Sequence, residues 1–128
     1  MGRLIQAENI VKCFREKKQR VLAVDHVSLH LDEGEILGII GESGSGKSTI
    51  LRLLSGIIQP DEGQVTLFGK SLDRKDRSRF QDIQMIFQDA RASFDKQYTI
   101  EQSLNEVYKH LNPNALENRF LLQEVGLD

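Results

Sequence analysis

The sequence predicts an α/β fold in three parts: an antiparallel β subdomain, a strand–loop–helix core, and the start of a helical subdomain. Three observations carry this. The first 31 residues hold two apolar stretches with partial period-two alternation. Residues 35–49 run from a continuous apolar segment through the glycine-rich "GESGSGKST" into helical spacing. Beyond residue 88 the strand pattern gives way to helix-start and helix-stop signals.

Each element has its own reason. Residues 3–13 read as a strand, and the basic "REKKQR" at 15–20 reads as a solvated hairpin turn. In 21–31, Val27, Leu29 and Leu31 fall on one face of a strand and Ser28 and His30 on the other. "LDEGE" turns the chain, and "EILGIIG" at 35–41 has the unbroken apolar pattern of a strand covered on both faces. "STILRLLSGII" follows as a helix with Ile50, Leu51, Leu54 and Ile58 on its apolar stripe. "QPDEGQ" is a turn, "QVTLFG" a strand, "DRKDRSRFQ" a polar helical segment, and "DIQMIFQ" a strand ending in the loop "DARASFDKQ". Thr99 opens a helix with Gln102 as its capping-box partner, and the helix carries Leu104, Val107, Tyr108 and Leu111. Asn112 and Pro113 start a last helix, "ALENRFLLQEV", which ends at Gly126.

Composition narrows the function. The 128 residues are 39% hydrophobic and 28% charged, as in a globular chain, and the net charge of -2 with a pI near 5.9 argues against nucleic acid as a partner. The single cysteine, Cys13, cannot close an intramolecular disulfide, which fits a reducing compartment. No apolar run reaches the length of a membrane span, and the N-terminus lacks a secretion signal.

Residues 41–48 match G-x-x-x-x-G-K-[ST], with an apolar strand pattern before and a helical one after. Gly41, Gly44 and Gly46 open backbone conformations closed to other residues, so the N–H groups of Glu42, Ser43, Ser45 and their neighbours can turn inward around phosphate oxygens. The helix starting near Lys47 adds its positive end. Lys47 supplies a point charge to the β- and γ-phosphates, Ser48 a hydroxyl to Mg²⁺, and Thr49 a hold on the α-phosphate side. This predicts a P-loop NTPase core.

The residues around that loop resemble the ATP-binding domain of ABC transporters. "AVDHVSLHLDEGEILGIIGESGSGKSTILRLLSGIIQPDEGQVTLFGK" follows that family's pattern, and "ENIVKCF" resembles the segment where it places an aromatic side chain against adenine. The resemblance implies that Phe14 stacks on the base. "IQMIFQDARASFDKQYTI" resembles the family's Q-loop, which implies that Gln88 reaches the Mg²⁺ and the attacking water and that its loop meets the transmembrane permease subunits. Its wording is similar to the oligopeptide, dipeptide and nickel importers, although Ala90 and Asp95-Lys96 stand where those relatives read "QDP" and "NP". The implied cofactors are ATP and Mg²⁺. The implied partners are the permease subunits and a second ATP-binding subunit. The implied place is cytoplasmic, on the inner face of the plasma membrane.

The resemblance spans the whole chain but only the first half of the family's domain: a β-rich and phosphate-loop core over 1–87, then the Q-loop and first helices over 88–128. No L-S-G-G-Q signature, no aliphatic strand ending in Asp-Glu and no switch histidine is found. "LSG" at 54–56 is a decoy, and His26, His30 and His110 have no partner spacing. The expectation is an incomplete domain that binds nucleotide weakly, hydrolyses it little, and self-associates through an open sheet edge at 35–40. The alternative is a non-catalytic nucleotide-binding or interaction module. A kinase or GTPase reading lacks the guanine-reading N-K-x-D.

Overall fold

A computed structural model describes residues 2–73, 75, 76, 78–89, 91–111 and 122–126. The elements are β1 (Arg3–Glu16), β2 (Gln19–Asp32), α1 (Lys47–Leu54), β3 (Glu62–Leu67), β4 (Lys70–Ser71), α2 (Arg79–Asp82), a 3-10 turn (Arg91–Ser93) and α3 (Ile100–Leu111). They belong to two compact units, residues 1–79 and 80–128.

The first unit is built on an antiparallel sheet in the order β2-β1-β3-β4. Its first hairpin closes through Lys17 and Lys18, both at positive φ, between the paired residues Glu16 and Gln19. That is the two-residue turn whose twist matches paired strands, and "REKKQR" is the solvated hairpin turn expected of it. β2 keeps the expected alternation: Val27, Leu29 and Leu31 are half-buried while Ser28 and His30 are exposed. Its ladder with β1 is interrupted by bulges, and Asn9 and His26 take positive φ at two of them. At one, the Asn9 N–H donates to Ser28 Oγ at 2.9 Å, which ties the irregular segment to the opposite strand. A Cβ on Gly63 would lie 2.4 Å from the Glu8 and Asn9 carbonyl oxygens, so only glycine lets β3 pair so closely with β1.

The core of this unit is Ala7, Ile10, Val11, Val24, Val65 and Leu72 together with Leu53 and Leu54 of α1. The buried face of α1 differs from the expected stripe. Leu53 and Leu54 are buried, while Leu51 is 46% exposed. The helix is also shorter than expected, because Gly56 takes φ 72 and reverses the chain. Gly56 N–H bonds the Leu53 carbonyl at 3.1 Å and Ile57 N–H the Arg52 carbonyl at 3.0 Å, the paired bonds of a Schellman cap. "LSG" at 54–56 is therefore a helix stop.

Two expected strands do not form. Residues 35–41 and 83–87 run without strand pairing, and the side chains of Ile36 and Ile40 are 97% and 99% exposed. A strand of the doubly covered kind needs partners on both edges and layers on both faces. Among the described residues nothing pairs with either segment, so 35–40 is an exposed apolar run and not the edge of a sheet. Among the described residues, the polar stretch after β4 is helical at Arg79–Asp82.

In the second unit, α3 starts as expected: Thr99 N–H donates to Gln102 Oε1 at 2.8 Å, and Gln102 N–H to Thr99 Oγ1 at 3.2 Å. This reciprocal pair satisfies two donors the helix leaves free. Asn112, Pro113 and most of the final predicted helix lie outside the described residues, as does Ala90; residues 122–124 are helical.

Candidate functional site

The site is assembled from the loop upward. Gly44 and Gly46 take φ 80 and φ 94, values that side-chain-bearing residues rarely adopt. Ser45 N–H closes the tip of the loop on the Glu42 carbonyl at 3.2 Å. Gly46 then serves as the N-cap of α1, and no side chain caps that helix or places an acid in its first turn. An uncapped N-terminus without a local carboxylate offers its N–H groups and its dipole to an anion.

Lys47, the first residue of α1, folds back over the loop. Its ammonium donates to the Gly41 and Glu42 carbonyls and to Ser45 Oγ at 3.3 Å. The charge is thus held at the mouth of the loop by neutral acceptors, which an anion can replace with stronger, charge-assisted bonds. Ser48 is exposed and Thr49 half-buried in the same first turn; Gly41, Glu42, Ser43, Gly44 and Ser45 are all exposed. These residues fit a phosphate chain with Mg²⁺. The uncapped start of α1 offers N–H groups, Lys47 an ammonium at the mouth of the loop and Ser48 a hydroxyl on the first turn. Among the described residues no His, Cys, Asp or Glu group could hold a metal by itself, so an ion here would depend on phosphate oxygens and Ser48.

The sheet brings Phe14 to the same region. A Cβ on Gly46 would lie 2.4 Å from the Ala23 carbonyl oxygen, so the end of the loop rests on the β2 backbone. Ala23 stands between Leu22 and Val24, which pair with Cys13 and Lys12, and Phe14 pairs with Val21. Phe14 is therefore about two residues along the ladder from the loop's point of contact, roughly 7 Å at the rise of a strand. Its ring is 37% exposed, with the Lys12 ammonium 5.8 Å from its centroid.

The sequence did not single out Asp61, which was read only as part of a turn. Its carboxylate accepts from the Cys13 N–H at 2.7 Å and from Lys12 Nζ at 2.9 Å, and its own N–H donates to the Val11 carbonyl at 2.8 Å. The bond from Cys13 and then that from Lys12 hold this carboxyl below the usual aspartate range. No local pattern distinguishes such an Asp from one that caps its own turn.

Gln88 belongs to the second unit. It is exposed, at a bend after the unpaired 83–87 segment. The loop beyond it is bonded to itself: Asp89 Oδ1 accepts from the Arg91 N–H at 3.1 Å, and Asp95 Oδ1 from the Gln97 N–H at 2.9 Å. Asp95 and Lys96 thus form a side-chain-stabilised turn. Of the histidines, His26 Nδ1 lies 2.7 Å from Asp25 Oδ1 and His30 Nε2 3.8 Å from Asp32 Oδ2, both on the exposed sheet surface.

Comparison with known proteins agrees with this arrangement. The ABC transporter family model matches residues 24–127. The oligopeptide transport ATP-binding protein OppF of Haemophilus influenzae is 36% identical over 118 residues, covering 89% of this chain and 36% of that protein. The methionine import ATP-binding protein MetN of Staphylococcus saprophyticus is 44% identical over 89 residues, covering 66% of this chain and 26% of that protein. The matched stretch thus spans about a quarter to a third of these curated relatives. A dimeric bacterial ABC transporter cassette shares the fold at a TM-score of 0.74 and 24% identity, over 91% of this chain and 52% of that one. An antiparallel sheet beside a phosphate loop, and a family match over most of the sequence, lead to one conclusion: the chain belongs to the ABC transporter family.

Proposed function

We propose that this chain carries the nucleotide-binding part of an importer's ATP-binding subunit, taking ATP with Mg²⁺ and serving solute uptake. The observation that supports this reading most directly is the uncapped α1 N-terminus with Lys47 folded over the Gly41–Gly46 loop. In it, Lys47 exchanges its loop carbonyls for β- and γ-phosphate oxygens. The amides of Glu42 to Thr49 surround the phosphate chain, Phe14 stacks on adenine, and Ser48 faces the metal ion. Bound Mg²⁺ supplies neutralisation of phosphate charge. Gln88 is proposed to sense that ion and the γ-phosphate, and its loop to meet permease subunits. A second ATP-binding subunit is the expected partner, and the inner face of the plasma membrane the expected place. Among the described residues no helix is long and apolar enough to cross a membrane; attachment through the permease is part of the proposal.

The relatives handle different solutes, methionine and oligopeptides among them. The solute is accordingly proposed only at the level of small peptides, amino acids or nickel-like cargo. No Asp-Glu pair in the sequence follows a run of four aliphatic residues, so no general base is assigned. The alternative of a binding module without turnover rests on that observation.

Titration calorimetry of Mg·ATP against Mg·GTP tests the reading. Micromolar, ATP-preferring binding is expected, falling at least about tenfold in Lys47→Ala, since a lost charge-assisted contact costs about 1.4 kcal/mol or more. Equal binding by the Lys47→Ala chain would overturn it.

A further inference from the structure

We infer that Asp61 is a positioning residue for the base-stacking ring of Phe14, holding the β1 segment that presents it; this rests on the reading of Phe14 as the adenine platform. β1 is irregular where Phe14 emerges. Its ladder with β2 shifts register between Ile10 and Lys12 and again between Lys12 and Cys13, and its pairing with β3 ends at Val11. From Lys12 to Phe14, then, β1 has a ladder partner on one side only. Asp61, in the turn entering β3, fills the other side. Its N–H reaches the Val11 carbonyl at 2.8 Å, and its carboxylate takes the Cys13 N–H at 2.7 Å. One residue thus continues the missing strand for two bonds.

The second carboxylate oxygen holds Lys12 Nζ at 2.9 Å, and that ammonium stands 5.8 Å from the centre of the Phe14 ring. A cation on one face orients the ring and directs a stacking partner to the other. Asp61 therefore acts twice on Phe14, through the backbone at Cys13 and through Lys12. Among the described residues no hydrogen bond joins Asp61 to the phosphate loop, whose Gly46 rests on the Ala23 carbonyl. Grip on phosphate and grip on base should then separate in an Asp61 variant, a split that general loss of stability would not produce.

The test compares Mg·ATP with Mg·tripolyphosphate, which has the phosphate chain and no base, by calorimetry on the full chain. The proteins are unsubstituted, Phe14→Ala, Asp61→Ala and Asp61→Asn. Stacking of a base is worth about 5- to 150-fold, so Phe14→Ala should lower ATP affinity within that range and leave tripolyphosphate within about twofold. Asp61→Ala should follow the same pattern at roughly five- to tenfold, and Asp61→Asn, which keeps an acceptor for Cys13, should lie between. Equal loss of both ligands in the Asp61 variants, or no loss of either, overturns the inference while leaving Phe14 as the platform. An unchanged ratio in Phe14→Ala overturns the platform reading and the positioning role with it. Asp61→Asn preserves shape and keeps the test decisive if Asp61→Ala does not fold.

Discussion

Two isoleucines thirty residues apart meet opposite fates. Ile10, in β1, is fully buried, whereas Ile40, in the apolar run before the phosphate loop, is 99% exposed. The surroundings of Ile40, "EILGIIG", are the more apolar beside "ENIVKCF" around Ile10, so the difference lies in where strand partners come from. β1 receives β2 from a two-residue hairpin and β3 from a later turn, both antiparallel and both present in the described unit. Residues 35–40 have the composition of a strand covered on both faces, which is completed only by parallel neighbours from distant sequence. Apolarity encodes a requirement for burial, and topology decides whether the requirement is met.

Substitutions can break or sharpen this contrast. The largest effect should come from Ile10→Ala, which leaves a cavity in the core of the first unit and should cost about 2–5 kcal/mol in urea unfolding. A cost below about 1 kcal/mol would mean that the sheet's core tolerates collapse and that the two sites differ less than they appear. A smaller gain of about 1 kcal/mol is expected from replacing Lys17 by Asn and Lys18 by Gly, because both lysines occupy left-handed backbone conformations in the hairpin. No gain in thermal unfolding would argue that the turn does not set the β1–β2 register. Smallest should be Ile36→Ser combined with Ile40→Ser, within about 0.5 kcal/mol in stability. The same pair should weaken any self-association seen by sedimentation, since an exposed apolar run is the surface on which copies would meet. A cost near that of Ile10→Ala would show that this segment is buried and paired after all.

The same contrast explains what could be read in advance. The hairpin turn, the alternation of β2, the capping box at Thr99 and the phosphate loop are set by neighbours within a few residues, and each stands where the sequence puts it. The loop over Gly41 to Thr49 was legible because its turn and the start of α1 are set by glycines within the motif itself; its phosphate-binding role is the proposal made above. The strands at 35–41 and 82–88 were not, since their existence depends on partners that local pattern does not contain. The buried side of α1 was missed for a related reason: in eight residues several leucines can make a stripe, and contact with the sheet selects Leu53 over Leu51. Asp61 was missed because its bonds run to residues 48 to 49 positions away.

The seat of Gly46 on the Ala23 carbonyl has a further consequence. It ties the loop to β2, while the place of Phe14 depends on the register of β1, which the bulges near Asn9 and Lys12 set. One residue inserted or deleted in β1 would carry Phe14 to the other face of the sheet without disturbing the loop. On the proposed reading, contact with the base and contact with phosphate then answer to separate changes in the chain.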